Sequence, residues 1–177
     1  MQKHTYMMVL LLTLSLVLSS QVTAQETAEQ LTRSQLRKLL MDGVNAFQTK
    51  KYAQAAPAFE QLVGQYPELQ DYVQFFLANT YLNLGKNQQA LLTFQKFLAD
   101  YPSHPVADDV RLNTANLLLG EKKYTEAIAL YTLLLTRPGK DQGNIYDQLG
   151  KAYLGTENDQ EAVFAFQQVI AFHPEYP

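Results

Sequence analysis

The sequence predicts an all-α fold, an α-solenoid of about four helix–turn–helix repeats, and two observations carry that prediction. Ala55, Ala90, Ala127 and Ala162 are separated by 35, 37 and 35 residues, and an aromatic residue follows each at a constant offset of four: Phe59, Phe94, Tyr131 and Phe166. A chance run of amphipathic helices would keep a 3.6-residue period without this longer one. Within a unit, Tyr146, Leu149, Gly150 and Tyr153 stand three or four residues apart, which sets large and small side chains on one helix face as knobs and notches. Helices of about 14 residues are marginal in water by themselves, so each unit needs neighbours to cover its stripes. Strands find no place in this pattern.

The first 24 residues have the layout of a secretory signal peptide. Lys3 and His4 are polar, Met7 to Leu18 is a nearly unbroken apolar run, and Val22-Thr23-Ala24 places small residues before a cut at Gln25. A helix over that run would span about 18 Å, short of the ~30 Å hydrocarbon core, so no stable membrane span is expected after cleavage. No cysteine follows the run, which leaves out a lipid anchor. The mature chain, Gln25–Pro177, is expected to be exported.

Residues 25–35 form a polar lead-in that ends in a helix start. Thr32 as N-cap with Gln35 makes a capping box, and Leu31 with Leu36 a hydrophobic staple. Repeats are expected at about 36–70, 71–104, 105–140 and 143–177. In the first, Leu39, Gly43 and Phe47 mark one helix to about Thr49 and Lys50-Lys51 turns the chain. Ala55, Phe59 and Leu62 mark the partner helix, and Tyr66-Pro67 ends it, because proline cannot continue a hydrogen-bond ladder. The second repeat follows this with Ala78, Tyr81, Gly85, Ala90, Phe94, Phe97 and Pro102. The third is looser, with Gly120 early and Pro138 displaced by one residue. The last helix of the fourth carries Val163, Phe166, Val169 and Ile170 and is expected to keep one face uncovered, open to a partner or to self-association.

Composition narrows the chemistry. With 47% hydrophobic and 18% charged residues the chain is globular in character. A net charge of −3 without basic runs leaves no footprint for nucleic acid. The absence of cysteine excludes disulfides and thiolate sites. Beyond the leader only His104 and His173 remain, each beside a proline and neither at helical metal-ligand spacing from another, so both read as solvated loop residues. Ser103 reads as a cap for the helix entered through Pro105. Asp108 and Asp109 read as first-turn acids favoured by the helix dipole, since consecutive helical residues do not face one another as a catalytic pair would. Lys50-Lys51 and Lys122-Lys123 read as solvated turns. No catalytic residue, no cofactor and no metal are expected.

The run Tyr146-x-x-Leu149-Gly150-x-x-Tyr153, then Ala162-x-x-x-Phe166 and Pro174, resembles the tetratricopeptide repeat, with Tyr146 where the pattern has Trp. The resemblance extends from Leu36 to Pro174. It implies a right-handed solenoid whose first helices line a concave groove for an extended peptide or a partner's helix. It also implies a groove lined by Arg37, Tyr72, Phe75, Asn79, Asn116 and Lys151, in which the two asparagine amides bond a peptide backbone. Leu40, Phe75 and Asp109 stand where carboxylate-gripping members carry lysine, which argues against that mode. The chain looks like exported, periplasmic members of the family, which implies a protein-interaction scaffold in cell-envelope assembly or maintenance, in the periplasm or secreted. An alternative is that Tyr66–Tyr72 and Tyr101–Asp109 resemble the superhelical region of soluble lytic transglycosylases, which would make the chain the scaffold part of a cell-wall enzyme.

Overall fold

The computed structural model describes residues 31–137 and 141–172; the expected leader, Pro138, His173 and Pro174 lie outside them. The described residues form eight α-helices joined in pairs, with no strand among them. The pairs are α1 (Arg33–Gln48) with α2 (Tyr52–Leu62), α3 (Gln70–Asn83) with α4 (Asn87–Asp100), α5 (Ala107–Gly120) with α6 (Tyr124–Leu135), and α7 (Gln142–Gly155) with α8 (Asp159–Phe172). A 3-10 turn, Pro67–Leu69, precedes α3. Each helix packs on the next, and in addition α1 touches α3 and α5 touches α7. First helices therefore meet across the first and the last junction of this all-α repeat solenoid.

Local chemistry starts α1 as expected, whereas α2 stops at Leu62, ahead of Tyr66-Pro67, and Pro67 begins the 3-10 turn instead of ending the helix. Gln35 N–H donates to Thr32 Oγ1 at 3.3 Å and Thr32 N–H to Gln35 Oε1 at 2.8 Å, the reciprocal capping box of α1. Leu36 is buried and Leu31 packs against the same core. Inside each pair the turn is closed by one residue in the left-handed region: Lys50 (φ 59°), Gly85 (φ 70°), Lys122 (φ 61°) and Glu157 (φ 59°). In the first turn Lys50 N–H donates to Phe47 O and Lys51 N–H to Ala46 O, and the other three turns repeat both bonds, the Schellman arrangement that satisfies the last carbonyls. Gly120 is not the turn glycine of the third repeat. It is the last residue of α5, and Lys122 takes the left-handed position.

The core follows the repeat register. Ala55, Ala90 and Ala127 are 0% exposed and Ala162 1%, which lets paired backbones approach. Phe59, Phe94 and Tyr131 are fully buried, and each such ring contributes about 1.5–3 kcal/mol on leaving water. Gly43, Ala78, Ala115 and Gly150 recur at the spacing of the alanines, and the rings of Phe59 and Phe166 enter at the two glycines. At Gly43 an added Cβ would lie 3.1 Å from Phe59, and at Gly150 2.7 Å from Phe166, so the two glycines admit rings that sit closer.

Ser103 does not cap α5, whose N-cap is Val106 with no side-chain bond. The stretch from Ala90 to Ala115 is two residues longer than its counterpart from Ala55 to Ala78, and His104 organises the connection within it. Ala107 N–H donates to the His104 carbonyl at 2.8 Å, and Val106 N–H to Nδ1 at 3.3 Å. His104 is thus not a solvated loop histidine. Its Nε2 lies 3.3 Å from Asp71 Oδ2, and its ring meets Phe97 edge-on at 5.4 Å.

The two ends of the solenoid differ. On α8, Val163 and Ile170 are 56% and 61% exposed, joined by Phe164, whereas Phe166 turns inward to Gly150. On α1, Lys38 and Asp42 stand in register with the buried Val73 and Leu77 of α3, and pair with each other at 2.6 Å.

Candidate partner-binding surfaces

The first-helix surface divides into two stretches. On α3, Tyr72, Phe75 and Asn79 follow one face at three- and four-residue steps. Tyr72 is 52% exposed. Phe75 is half-buried, with its ring centroid 5.7 Å from Phe76 and 6.3 Å from Phe97, so only part of it faces outward. Asn79 Nδ2 donates to the Phe75 carbonyl of its own helix at 2.8 Å, which leaves its Oδ1 for other partners. Arg37, on α1, is exposed and has no partner among the described residues.

The second stretch is tied together internally. Tyr131 OH donates to Asn116 Oδ1 at 2.7 Å, and burial, with the Asp147 carboxylate second, pushes the tyrosine pKa well above its ordinary value. Asp147 Oδ2 accepts from Lys151 Nζ at 2.6 Å and from Gln148 Nε2 at 2.9 Å. Asn116 and Lys151, named separately from the sequence, are thus each engaged locally, Asn116 by the Tyr131 hydroxyl of α6 and Lys151 by Asp147 of its own helix. No hydrogen bond or ring contact among the described residues links them to Tyr72 or Asn79.

Asp108, expected to serve the helix dipole, also binds Arg111 Nη1 at 2.6 Å and lies 3.3 Å from Arg137 Nη1. Arg111 is 8% exposed and gives its Nη2 proton to the Pro102 carbonyl at 2.6 Å. Sequence reasoning passed over this arginine; the signal was a charge at a position where the register expects the buried side of a helix. Among the described residues no group of three or more His, Cys, Asp or Glu could hold a metal ion, and no helix is long and apolar enough to cross a membrane.

Comparison with known families decides the kinship of this arrangement. Models of the tetratricopeptide repeat match residues 76–144 and, in a second version, 39–68 and 146–176. The chain belongs to the tetratricopeptide repeat family. Tetratricopeptide repeat proteins bind peptide or protein partners, and this chain is a protein-interaction scaffold of that kind. Solved structures agree on the fold. YrrB, described as a tetratricopeptide protein with an unusual peptide-binding site, superposes with a TM-score of 0.68 at 18% identity, over 94% of this chain and 83% of its own. MamA from Desulfovibrio magneticus RS-1 gives 0.68 at 21% identity, over 79% and 76%. PilF of Pseudomonas aeruginosa gives 0.62 at 23%, over 78% and 61%. No curated protein matched the chain.

Proposed function

We propose that the protein is an exported, non-catalytic tetratricopeptide scaffold that holds protein partners in the cell envelope, with an extended peptide or a partner's helix lying against the first helices. The observation that carries this reading is the exposed, uncommitted chemistry of α1 and α3. Tyr72 offers a half-exposed ring, Arg37 an exposed guanidinium with no partner among the described residues, and Asn79 an amide oxygen left over from its hydrogen bond. An aromatic anchor beside hydrogen-bonding groups suits a peptide main chain with few demands on its sequence. The peptide-binding site ascribed to YrrB supports the same class of occupant. Export rests on the leader-like residues 1–24, and the envelope role on the likeness to exported family members.

The test is a photo-crosslinking amino acid at Tyr72, with the exposed turn residue Lys122 as the control position. Envelope proteins crosslinked from position 72 and not from 122 support the reading; equal yields move the site off the first helices. Cell fractionation with sequencing of the mature N-terminus checks export, with Gln25 expected first and an intact Met1 counting against it.

The reading includes self-association through α8. The acceptor is the same face of a second copy, because among the described residues α1 offers the Lys38–Asp42 pair with Met41 as its single exposed large apolar side chain. Sedimentation should show a dimer that Val163→Gln with Ile170→Gln converts to monomer; a monomeric parent chain refutes this part alone.

A further inference from the structure

A cleft of about 360 Å³ opens at the first inter-repeat junction, between the end of α2, the 3-10 turn, the start of α3 and the end of α4. Pro67, Gln70, Gln74, Lys96 and Asp100 are among its walls. Gln74 is 3% exposed; its Nε2 donates to Asp100 Oδ2 at 3.1 Å, and its Oε1 has no partner. Gln70 is the reverse, with Oε1 accepting from Gly64 N–H at 2.8 Å and Nε2 unpaired. The bonded halves fix both amides, so a lone acceptor and a lone donor remain. Buried polar atoms without partners are rare in folded proteins.

The second junction shows what occupies the equivalent place. In the register of Ala78 and Ala115, Gln74 corresponds to Arg111 and Asp71 to Asp108; in that of Ala55 and Ala90, Pro67 corresponds to Pro102. The Arg111 guanidinium donates to Asp108 Oδ1 and to the Pro102 carbonyl, each at 2.6 Å. Both acceptors recur at the first junction as Asp71 and Pro67, but there the shorter Gln74 bonds Asp100 instead.

We propose that the cleft is a second binding site, for an arginine side chain presented by a partner peptide. The guanidinium takes Gln74 Oε1, the Pro67 carbonyl and the Asp100 carboxylate, and a carbonyl of the same peptide meets Gln70 Nε2. Its planar fork of donors suits several fixed acceptors where a lysine ammonium would not. Hydrogen bonds from Gln74 and Lys96 hold the Asp100 carboxyl below the usual carboxylate range, so it is anionic at neutral pH. Lys96 lies at the rim with a side chain 61% exposed and is free to swing into water as the guanidinium enters. This site lies at a repeat junction and does not depend on the first-helix surface.

The full chain is titrated with Nα-acetylarginine amide and with the citrulline equivalent, which keeps the shape and lacks the charge, while the side-chain amide NMR signals of Gln70 and Gln74 are followed. Saturable shifts are expected with the arginine derivative, and binding about tenfold weaker or more with citrulline and in Asp100→Asn. Gln74→Arg is the second arm. It should fill the cleft from within as Arg111 does, abolish binding and raise the melting temperature. No saturable shift, or equal binding of the two derivatives, means that the cleft holds only water and overturns the proposal. Unchanged binding in Gln74→Arg, or a lowered melting temperature, overturns it as well.

Discussion

Gly150 faces the Phe166 ring so closely that a methyl group on it would stand 2.7 Å from Cε1 and 2.8 Å from Cζ. Gly150→Ala must therefore displace the ring or spread α7 from α8, a loss of about 1–3 kcal/mol. Gly120, helical but with nothing within 4 Å of an added Cβ, makes the control. Gly120→Ala should stabilise by up to about 1 kcal/mol through helix propensity. Thermal melts of the two variants should move in opposite directions, and a shared direction would contradict the notch.

Lys122 holds a left-handed backbone conformation, φ 61°, that Gly85 holds in the neighbouring repeat. The steric cost of that conformation for a side chain exceeds the entropy that glycine loses on folding. Lys122→Gly should then stabilise by about 0.5–1 kcal/mol, or raise the melting temperature by about 2–4 °C. A lowered midpoint would show that the lysine side chain supports the turn.

Arg111 binds Asp108 and the Pro102 carbonyl while almost wholly out of water. Arg111→Ala leaves the Pro102 carbonyl without this donor and the half-buried Asp108 carboxylate with Arg137 alone, and should cost about 1–3 kcal/mol in denaturant unfolding. Lys38→Ala breaks an exposed pair and should cost under about 1 kcal/mol. Similar losses from the two variants would rule out the buried role.

Tyr81 should make the fold sensitive to alkali. Burial, then the hydrogen bond its hydroxyl donates to Glu60 Oε1 at 2.8 Å, raises its pKa from 10.0 to about 12. Between these values the unfolded chain gives up the proton and the folded chain keeps it. Stability is therefore full below pH 10 and falls as pH rises towards 12. Urea midpoints across that window should fall, and less steeply in Tyr81→Phe.

The repeat was legible because its signal is redundant. Ala55, Ala90, Ala127 and Ala162 each report the same small-residue position, and the capping box at Thr32 and Gln35 is local chemistry that needs no neighbours. The junctions were less legible, because their side chains answer to residues on other helices. Nothing adjacent to His104 announces Asp71, and nothing near Asn116 announces the Tyr131 hydroxyl. Gly120 stands two residues early, and the doubled lysines Lys122-Lys123 mark the turn. Glycine suggests a turn wherever it stands, and here the turn was set by hydrogen bonds that Lys122 and Lys123 N–H groups make to Leu119 and Leu118.

The unlike ends of the described repeats bear on the proposed self-association. A copy offering Val163 and Ile170 finds Lys38 and Asp42 at the far end of the next copy, so end-over-end stacking has no apolar match to drive it. In the proposed pairing of like ends, the exposed α8 face of each copy is consumed. Such pairing would close at two, and a partner that takes the same face would compete with the second copy instead of lengthening a fibre.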